Sequence, residues 1–306
     1  MAPDSSTAHI TQNSLLTPTL NAWRIFLQDQ ANSPHTVKAF IHDLQLLASF
    51  LPPDRTLVNI GTTDLNNFLS WLQNGRGVAC SPKTLARRIT SIKAFFRWLT
   101  KNGVLMIDPA EKVLQKSVLS PLPTVLTPEE VELIMETADK HRTDKKPDAR
   151  YYILFSLLIN TGIKKSECLN LNLNHIDLDA TGGPLLFIRY GNPQNRYKER
   201  KIQLPQSWLV SLQEYKTQYM ITDRLFPWSQ RRLEYLLEDL SQEVGLDKHI
   251  SFDMCRWTCA LLDWNAGLER EKIRQKLGIS KVQWREVNMK LKRLANPGLH
   301  PVLEED

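Results

Sequence analysis

The sequence predicts a mainly α-helical protein of two domains, the first a bundle of four helices and the second α-rich with a small β-sheet insert. Three features predict this. Apolar residues recur at helical spacing through residues 15–116 and again beyond residue 128. Between these stretches, SVLSPLPTVLT (117–127) carries no charge and two prolines two apart, which no helix accommodates, so it reads as an interdomain linker. One segment of the second half switches to the alternation of paired strands.

Taken in order, residues 1–14 are polar and lack apolar periodicity, so they are expected to be a disordered start. Trp23, Phe26 and Leu27 begin the first amphipathic helix. Ser33-Pro34 supplies a cap and a first-turn proline for the second, which carries Val37, Ile41, Leu44 and Leu47. Thr63 and Asp64 open a third helix with Leu65, Phe68, Leu69 and Leu72, and Asn74-Gly75 is expected to stop it. Ser81-Pro82 opens a fourth, with Leu85, Ile89, Ile92, Phe96 and Leu99 on one face.

After the linker, Thr127-Pro128-Glu129-Glu130 has the form of a capping box and begins the second domain, residues 128–295. Leu185–Tyr190 reads as a strand, Gly191–Tyr197 as a polar turn, and Arg200–Leu204 as the return strand. Residues 296–306 form a short apolar-acidic tail containing Leu299, Val302 and Leu303.

With 306 residues, 42% of them apolar and 24% charged, the chain has material for two real cores. No apolar run is long enough for a membrane span, the N-terminus lacks the pattern of a signal peptide, and four cysteines make no disulfide framework. The expected compartment is therefore the cytoplasm, with no membrane partner. Seven histidines show no metal spacing, and the twelve glycines build no phosphate loop, so no metal and no cofactor are expected. Cys255 and Cys259, one helical turn apart, are expected to pack in the core.

The net charge of +6 is unevenly spread. Residues 15–115 hold eleven Lys/Arg against six Asp/Glu, and residues 256–293 hold ten against four, which leaves the remainder of the chain at −5. On the fourth helix, Lys83, Arg87, Arg97 and Lys101 fall on one stripe opposite the apolar face. A solvated helix face explains such a stripe by itself; two basic clusters, one per domain, suit a clamp on nucleic acid, where cations displace counterions along the duplex.

Several motifs, in order and in register over residues 15–293, resemble the tyrosine recombinases of the phage-integrase and Xer type. SPHTVKAFIHDLQLLASFL and SPKTLARRITSIKAFFRWLTKNGVLMIDPAEKV are similar to the first long helix and last helix of that family's SAM-like core-binding domain. PTVLTPEEVELIM resembles the start of its catalytic domain, LLINTGIKKSECLNLNLNHIDL its first arginine block, GNPQNRYKERKIQLP its hairpin, and SFDMCRWTCALLDWNAGLEREKIRQKLGIS its second arginine block.

The resemblance implies a tyrosine that attacks a DNA phosphate, supported by two arginines, a hairpin lysine and two histidine-type residues. Fixed guanidiniums would stabilise the negative charge that concentrates in the transition state. At those positions this chain carries Lys164 for the first arginine, with Glu167 at the family's acidic position, and Lys198 as the candidate hairpin lysine. The second block keeps Arg256 but has Asp253 and Trp257 around it, Ile279 replaces the next histidine, and Asn288 stands where spacing places the nucleophile. The last tyrosine of the sequence, Tyr235, precedes Arg256.

Only Arg256 of six expected groups is intact, and losing one member of such a unit already costs orders of magnitude in rate. The resemblance therefore implies a DNA-binding homologue without strand cleavage. Lys83, Arg87, Arg97 and Lys101 in the first domain and Lys164, Arg256, Arg274 and Lys281 in the second are its candidate phosphate contacts. Its expected partners are double-stranded DNA, with further copies of itself or an active recombinase beside it, in the nucleoid; the tail is expected to dock on a neighbouring protomer. Two other readings stand. One is strand transfer from a displaced nucleophile, Ser280 or Tyr235, although Tyr235 lies on a helix where core packing explains it. The other is a protein-interaction subunit.

Overall fold

The computed structural model describes residues 9–78, 80–114 and 121–296. The expectations of disorder for residues 1–8, of a linker for 117–120 and of a docking tail for 297–306 lie outside the described residues. The chain divides into two compact units, Met1–Pro121 and Leu122–Asp306.

In the first unit, α1 (Leu16–Asp29), α2 (Pro34–Phe50), α3 (Thr62–Ser70) and α4 (Pro82–Lys101) enclose one core. The Ser-Pro pairs start two of them as their chemistry dictates. Ser33 Oγ accepts the Thr36 amide at 3.1 Å and Ser81 Oγ accepts the Thr84 amide at 3.2 Å, and the prolines lack the N–H that would need a partner there. Trp23, Phe26, Phe95 and Trp98 stack at the centre of this bundle with ring centroids 5.1–5.9 Å apart.

The third helix ends at Gly75, where Asn74-Gly75 was expected to stop it, with its last turn, Trp71–Gly75, wound as a π-type turn. One expectation for this unit is corrected. Residues 9–14 are not a free start. The Val58 and Leu57 amides donate to the Gln12 and Ser14 carbonyls, both at 2.9 Å, and Ile10 packs on the core, because the polar sequence conceals one apolar anchor and a row of backbone partners.

The second unit begins inside the segment expected as linker. Leu126 is 2% exposed and its amide donates to Thr258 Oγ1 at 2.9 Å. The Thr127–Glu130 capping box forms, with its reciprocal bonds at 2.7 and 3.2 Å, and starts α5 (Pro128–Thr143). The helix α6 (Arg150–Thr161) is apolar on nearly every face and is the axis of this unit, buried from Ile153 to Ile159. The short α7 (Lys165–Leu169) leads to an antiparallel sheet of β1 (Ile176–Asp177), β2 (Leu185–Ile188) and β3 (Arg200–Gln203), in that order, with Leu186 opposite Ile202 and Ile188 opposite Arg200. The turn between β2 and β3 contains a 3-10 helix, Pro193–Lys198. The remaining helices are α8 (Ser207–Tyr219), α9 (Gln230–Glu243), α10 (Phe252–Asn265), α11 (Arg270–Leu277) and α12 (Lys281–Ala295). Cys255 and Cys259 are both buried in this unit. Among the described residues no helix is long and apolar enough to cross a membrane.

Candidate functional site

The apolar axis α6 ends at Gly162, whose positive φ of 57° closes the helix; a Cβ there would lie 3.2 Å from both Cys259 Sγ and Leu277 Cδ2. The turn that follows delivers Lys164 to the N-cap of α7. Glu167, in the first turn of that helix, reaches back to accept the Lys164 amide at 2.8 Å. Glu167 is buried, with a side chain 2% exposed, and every remaining lone pair it offers is met. Arg200 donates to it through both amino groups, at 2.9 and 3.0 Å, and the Tyr190 hydroxyl donates to Oε1. Burial alone would raise the Glu167 carboxyl, but the Arg200 hydrogen bonds and charge, with Tyr190 and the Lys164 amide, hold it at about 2.

Arg200 was not among the residues singled out in the sequence. It stands first in β3, where strand alternation made it one more polar residue of a return strand. Besides binding Glu167 it donates from Nε to the Lys276 carbonyl at 2.6 Å and from Nη1 to the Lys198 carbonyl at 3.1 Å. Its guanidinium crosses Gly278 so closely that a Cβ there would meet Nη1 at 2.5 Å and Cζ at 2.9 Å. One side chain thus ties the sheet, α7 and the end of α11 together.

Arg256 ties two more ends. From α10 it donates through Nη1 to the Gly162 carbonyl and through Nη2 to the Leu277 carbonyl at 2.6 Å. Lys198 donates to Asn195 Oδ1 at 2.7 Å and lies 5.8 Å from the Tyr190 ring and 5.1 Å from the Tyr197 ring. Lys164, half-buried, feels all of them. Burial lowers its ammonium, Glu167 opposes that, and the charges of Arg256, Lys198 and Arg200 lower it further. Burial likewise lowers Arg256, with Glu167 opposing. The structure therefore brings Lys164, Glu167, Lys198 and Arg256 together and adds Arg200: four cations around one carboxylate, a net positive site suited to an oxyanion.

The other positions flagged in the sequence lie around this cluster with different roles. Asp253 is exposed on the first turn of α10. Trp257 and Ile279 (8% exposed) join an apolar satellite core with Trp284 and Leu291, and Lys290 Nζ lies 5.7 Å from the Trp257 ring. Asn288 is half-buried on α12, its Oδ1 sealed from solvent without a donor among the described residues.

Three readings of single residues are revised. Arg87 is not simply a solvated cation, because its Nη1 is ion-paired with Asp43, a fully buried carboxylate on α2 that also accepts from Ser91 at 3.1 Å and lies 3.6 Å from Arg88 Nε, although the Arg87 side chain stays 38% exposed. Arg274 is likewise engaged, with the Glu271 carboxylate at 2.5 and 2.9 Å and the Ile279 carbonyl at 2.6 Å. Tyr235 is not core: it is 40% exposed and its hydroxyl accepts from Arg231 Nε at 2.6 Å, because Leu233, Leu236, Leu237 and Leu240 already form the buried face of α9. Ser280, the other displaced-nucleophile candidate, is the N-cap of α12 and accepts the Gln283 amide at 3.2 Å. Lys83, Arg97, Lys101 and Lys281 are exposed.

The family profiles agree with this architecture. That of the phage integrase N-terminal SAM-like domain matches residues 20–103, and that of the phage integrase family matches residues 124–285. The chain belongs to the phage integrase family, the tyrosine recombinases. Among curated relatives it is similar to tyrosine recombinase XerC of Lacticaseibacillus casei, 25% identical over 255 residues that span 80% of this chain and 84% of that one. It is similar also to XerC of Roseiflexus castenholzii, 32% identical over 154 residues, 50% of this chain and 48% of that one. In fold it resembles the XerH site-specific recombinase bound to a palindromic difH substrate, with a TM-score of 0.71 and 20% identity over 92% of this chain and 82% of that one. A lambda integrase tetramer bound to a Holliday junction gives 0.70 and 15% identity over 97% and 82%.

Proposed function

We propose that this chain is a DNA-recombination protein that grips duplex DNA through its basic surfaces and does not cut it. The observation that carries this reading is the pairing, in one unit, of a four-cation cluster with Asn288 at the position where the family places its nucleophile. An asparagine amide cannot form the phosphotyrosyl ester, and Ile279 and the exposed carboxylate of Asp253 offer no hydrogen-bond donor to a phosphate at the positions of the family's histidines. What remains is electrostatics. Lys164 and Lys198 present ammonium groups that bind as point charges, whereas Arg200 and much of Arg256 are used internally. Lys83, Arg97 and Lys101 on α4 and Lys281 on α12 add exposed contacts.

Such contacts give affinity without sequence reading, so binding should be steeply salt-dependent. The structural relatives, one bound to a palindromic difH substrate and one to a Holliday junction, support DNA as the ligand. We place the chain in the nucleoid beside an active recombinase or a second copy of itself. A salt-titrated gel shift on random duplex tests the reading: a shift at low salt that declines linearly in log–log form is expected, and no binding at low salt overturns it.

Strand transfer from a displaced nucleophile is the second reading, and to the sequence candidates Ser280 and Tyr235 the structure adds a third hydroxyl. Tyr197 is 65% exposed in the hairpin turn, with its ring 5.1 Å from Lys198 Nζ. A covalent protein–DNA adduct lost on Tyr197→Phe would establish it.

A further inference from the structure

We infer that α12, the helix on which the family carries its nucleophile, is in this chain a phosphate-tracking ridge formed by Lys281, Arg285, Asn288 and Lys292. The inference rests on the duplex-binding reading above and deepens it, extending its single α12 contact, Lys281, to a whole face of that helix. At 3.6 residues per turn these four side chains fall within about 60° of arc, and from Lys281 to Lys292 the ridge is about 16 Å long. That length matches about five phosphates of one strand at 3.4 Å of helix axis each.

The charge balance of the helix is one-sided. It holds five Lys/Arg and a single acid, Glu286, which is spent on Lys290 at 2.8 Å. Arg285 and Lys292 are exposed and make no ion pair among the described residues. Elsewhere in the same unit, exposed and half-exposed cations are commonly engaged: Lys165 with Glu234, Lys272 with Glu269 and Lys276 with Asp263. On this face Arg285 and Lys292 carry no ion pair among the described residues, and Lys281 is only near Glu271, whose carboxyl Arg274 and Gln275 lower first and Lys281 after them. The row therefore keeps a net positive charge, and counterion release is the force it supplies.

The packing of the helix fixes which side is available. Leu291 is its one fully buried residue, and Trp284 and Val287 pack with it on the satellite core. The apolar face is therefore already used against the protein, which disfavours a lipid surface, since an interfacial helix needs that face free. Asn288 sits between the two faces. Its Oδ1 is sealed inside, the residue as a whole is half-buried, and an asparagine amide has an N–H donor to offer a phosphate oxygen. A tyrosine hydroxyl in that place would serve as nucleophile; the amide serves as one more backbone contact in a row of cations.

The test uses the full chain and a labelled random-sequence duplex, with binding followed by anisotropy from low to high salt. The triple variant Lys281→Gln, Arg285→Gln, Lys292→Gln should reduce the slope of log K against log salt by about 2.7, at about 0.9 per phosphate contact. A control of equal charge loss, Lys140→Gln, Lys145→Gln, Lys146→Gln, takes exposed cations from α5 and the loop after it and should leave the slope within one contact of the parent. All six positions are exposed, so unchanged far-UV dichroism is expected for both variants. If the ridge variant keeps the parent slope while the parent binds DNA, or if the control loses as much slope as the ridge, the ridge is refuted and the duplex-binding reading stands. If the parent binds no duplex, both fall. Binding of the parent to vesicles of anionic lipid, lost with the ridge variant and without any duplex binding, would likewise refute the phosphodiester assignment.

Discussion

Among the described residues, each unit fully buries one carboxylate against arginines, and the two carboxylates respond in opposite directions. Glu167 accepts two bonds from Arg200, one from Tyr190 and one from the Lys164 amide, and its carboxyl is held at about 2. Asp43 is fully buried, and burial raises its carboxyl, with Arg87 and Ser91 opposing incompletely. Its Oδ1 and the Arg88 Nε face each other at 3.6 Å, just beyond hydrogen-bond range, and neither finds another partner among the described residues. The number of charges is similar; the number of lone pairs satisfied is not. A buried ion pair stabilises only when its remaining hydrogen-bonding capacity is filled, and that decides the sign here.

The largest effect is expected from breaking the better-satisfied cluster. Glu167→Gln leaves the Arg200 guanidinium buried without a counter-charge and should destabilise the second unit by about 3–5 kcal/mol in urea denaturation. Asp43→Asn, at the poorly satisfied site, should cost the first unit about 1–2 kcal/mol. Equal costs would refute the contrast.

Next comes Gly278→Ala. The added methyl would enter the Arg200 guanidinium, and φ at that position is +58°, so a loss of about 2 kcal/mol is expected, with weaker DNA binding because the Lys198 turn is no longer tied down.

Acid separates the two sites by sign. The folded carboxyl of Glu167 lies below its unfolded value, so its stabilisation is complete above about pH 4.5 and is lost as pH falls toward 2. The folded carboxyl of Asp43 lies above its unfolded value, so its contribution is greatest in acid and diminishes as pH rises through that raised value. Stability measured from pH 2 to 6 should show a smaller acid loss in Glu167→Gln than in the parent, whereas Asp43→Asn should show a larger one.

The smallest stability effect is expected at the exposed residues of α4. Lys83→Gln, Arg97→Gln and Lys101→Gln should each change stability by under about 0.5 kcal/mol and together lower the DNA salt slope by about 2–3. Arg87→Gln, by contrast, should act mainly on stability through Asp43.

Much of the fold was legible because its signals are local. Ser33-Pro34, Ser81-Pro82 and the Thr127–Glu130 box each bond within three residues, so the sequence alone displays both partners. Arg200 was not legible, because its partner Glu167 lies 33 residues away and alternation in β3 gives a polar residue no sign of burial. The ion pair of Arg87 was hidden for the same reason: its position on a basic stripe is local information, and its partner Asp43, 44 residues upstream, is not. The two-residue strand β1 is too short for any period to show. That Lys164, Glu167, Lys198 and Arg256 lie together was expected only through family motifs, which carry long-range geometry that periodicity does not, and Tyr190 was passed over although it donates to Glu167.

The proposal that this chain holds DNA without cutting it is tested most directly by incubating the full chain with a labelled pool of nicked random-sequence duplexes, then running native and SDS gels side by side. A salt-sensitive native shift and no SDS-resistant labelled band are expected. An SDS-resistant band that disappears on Tyr197→Phe, Tyr235→Phe or Ser280→Ala would contradict it.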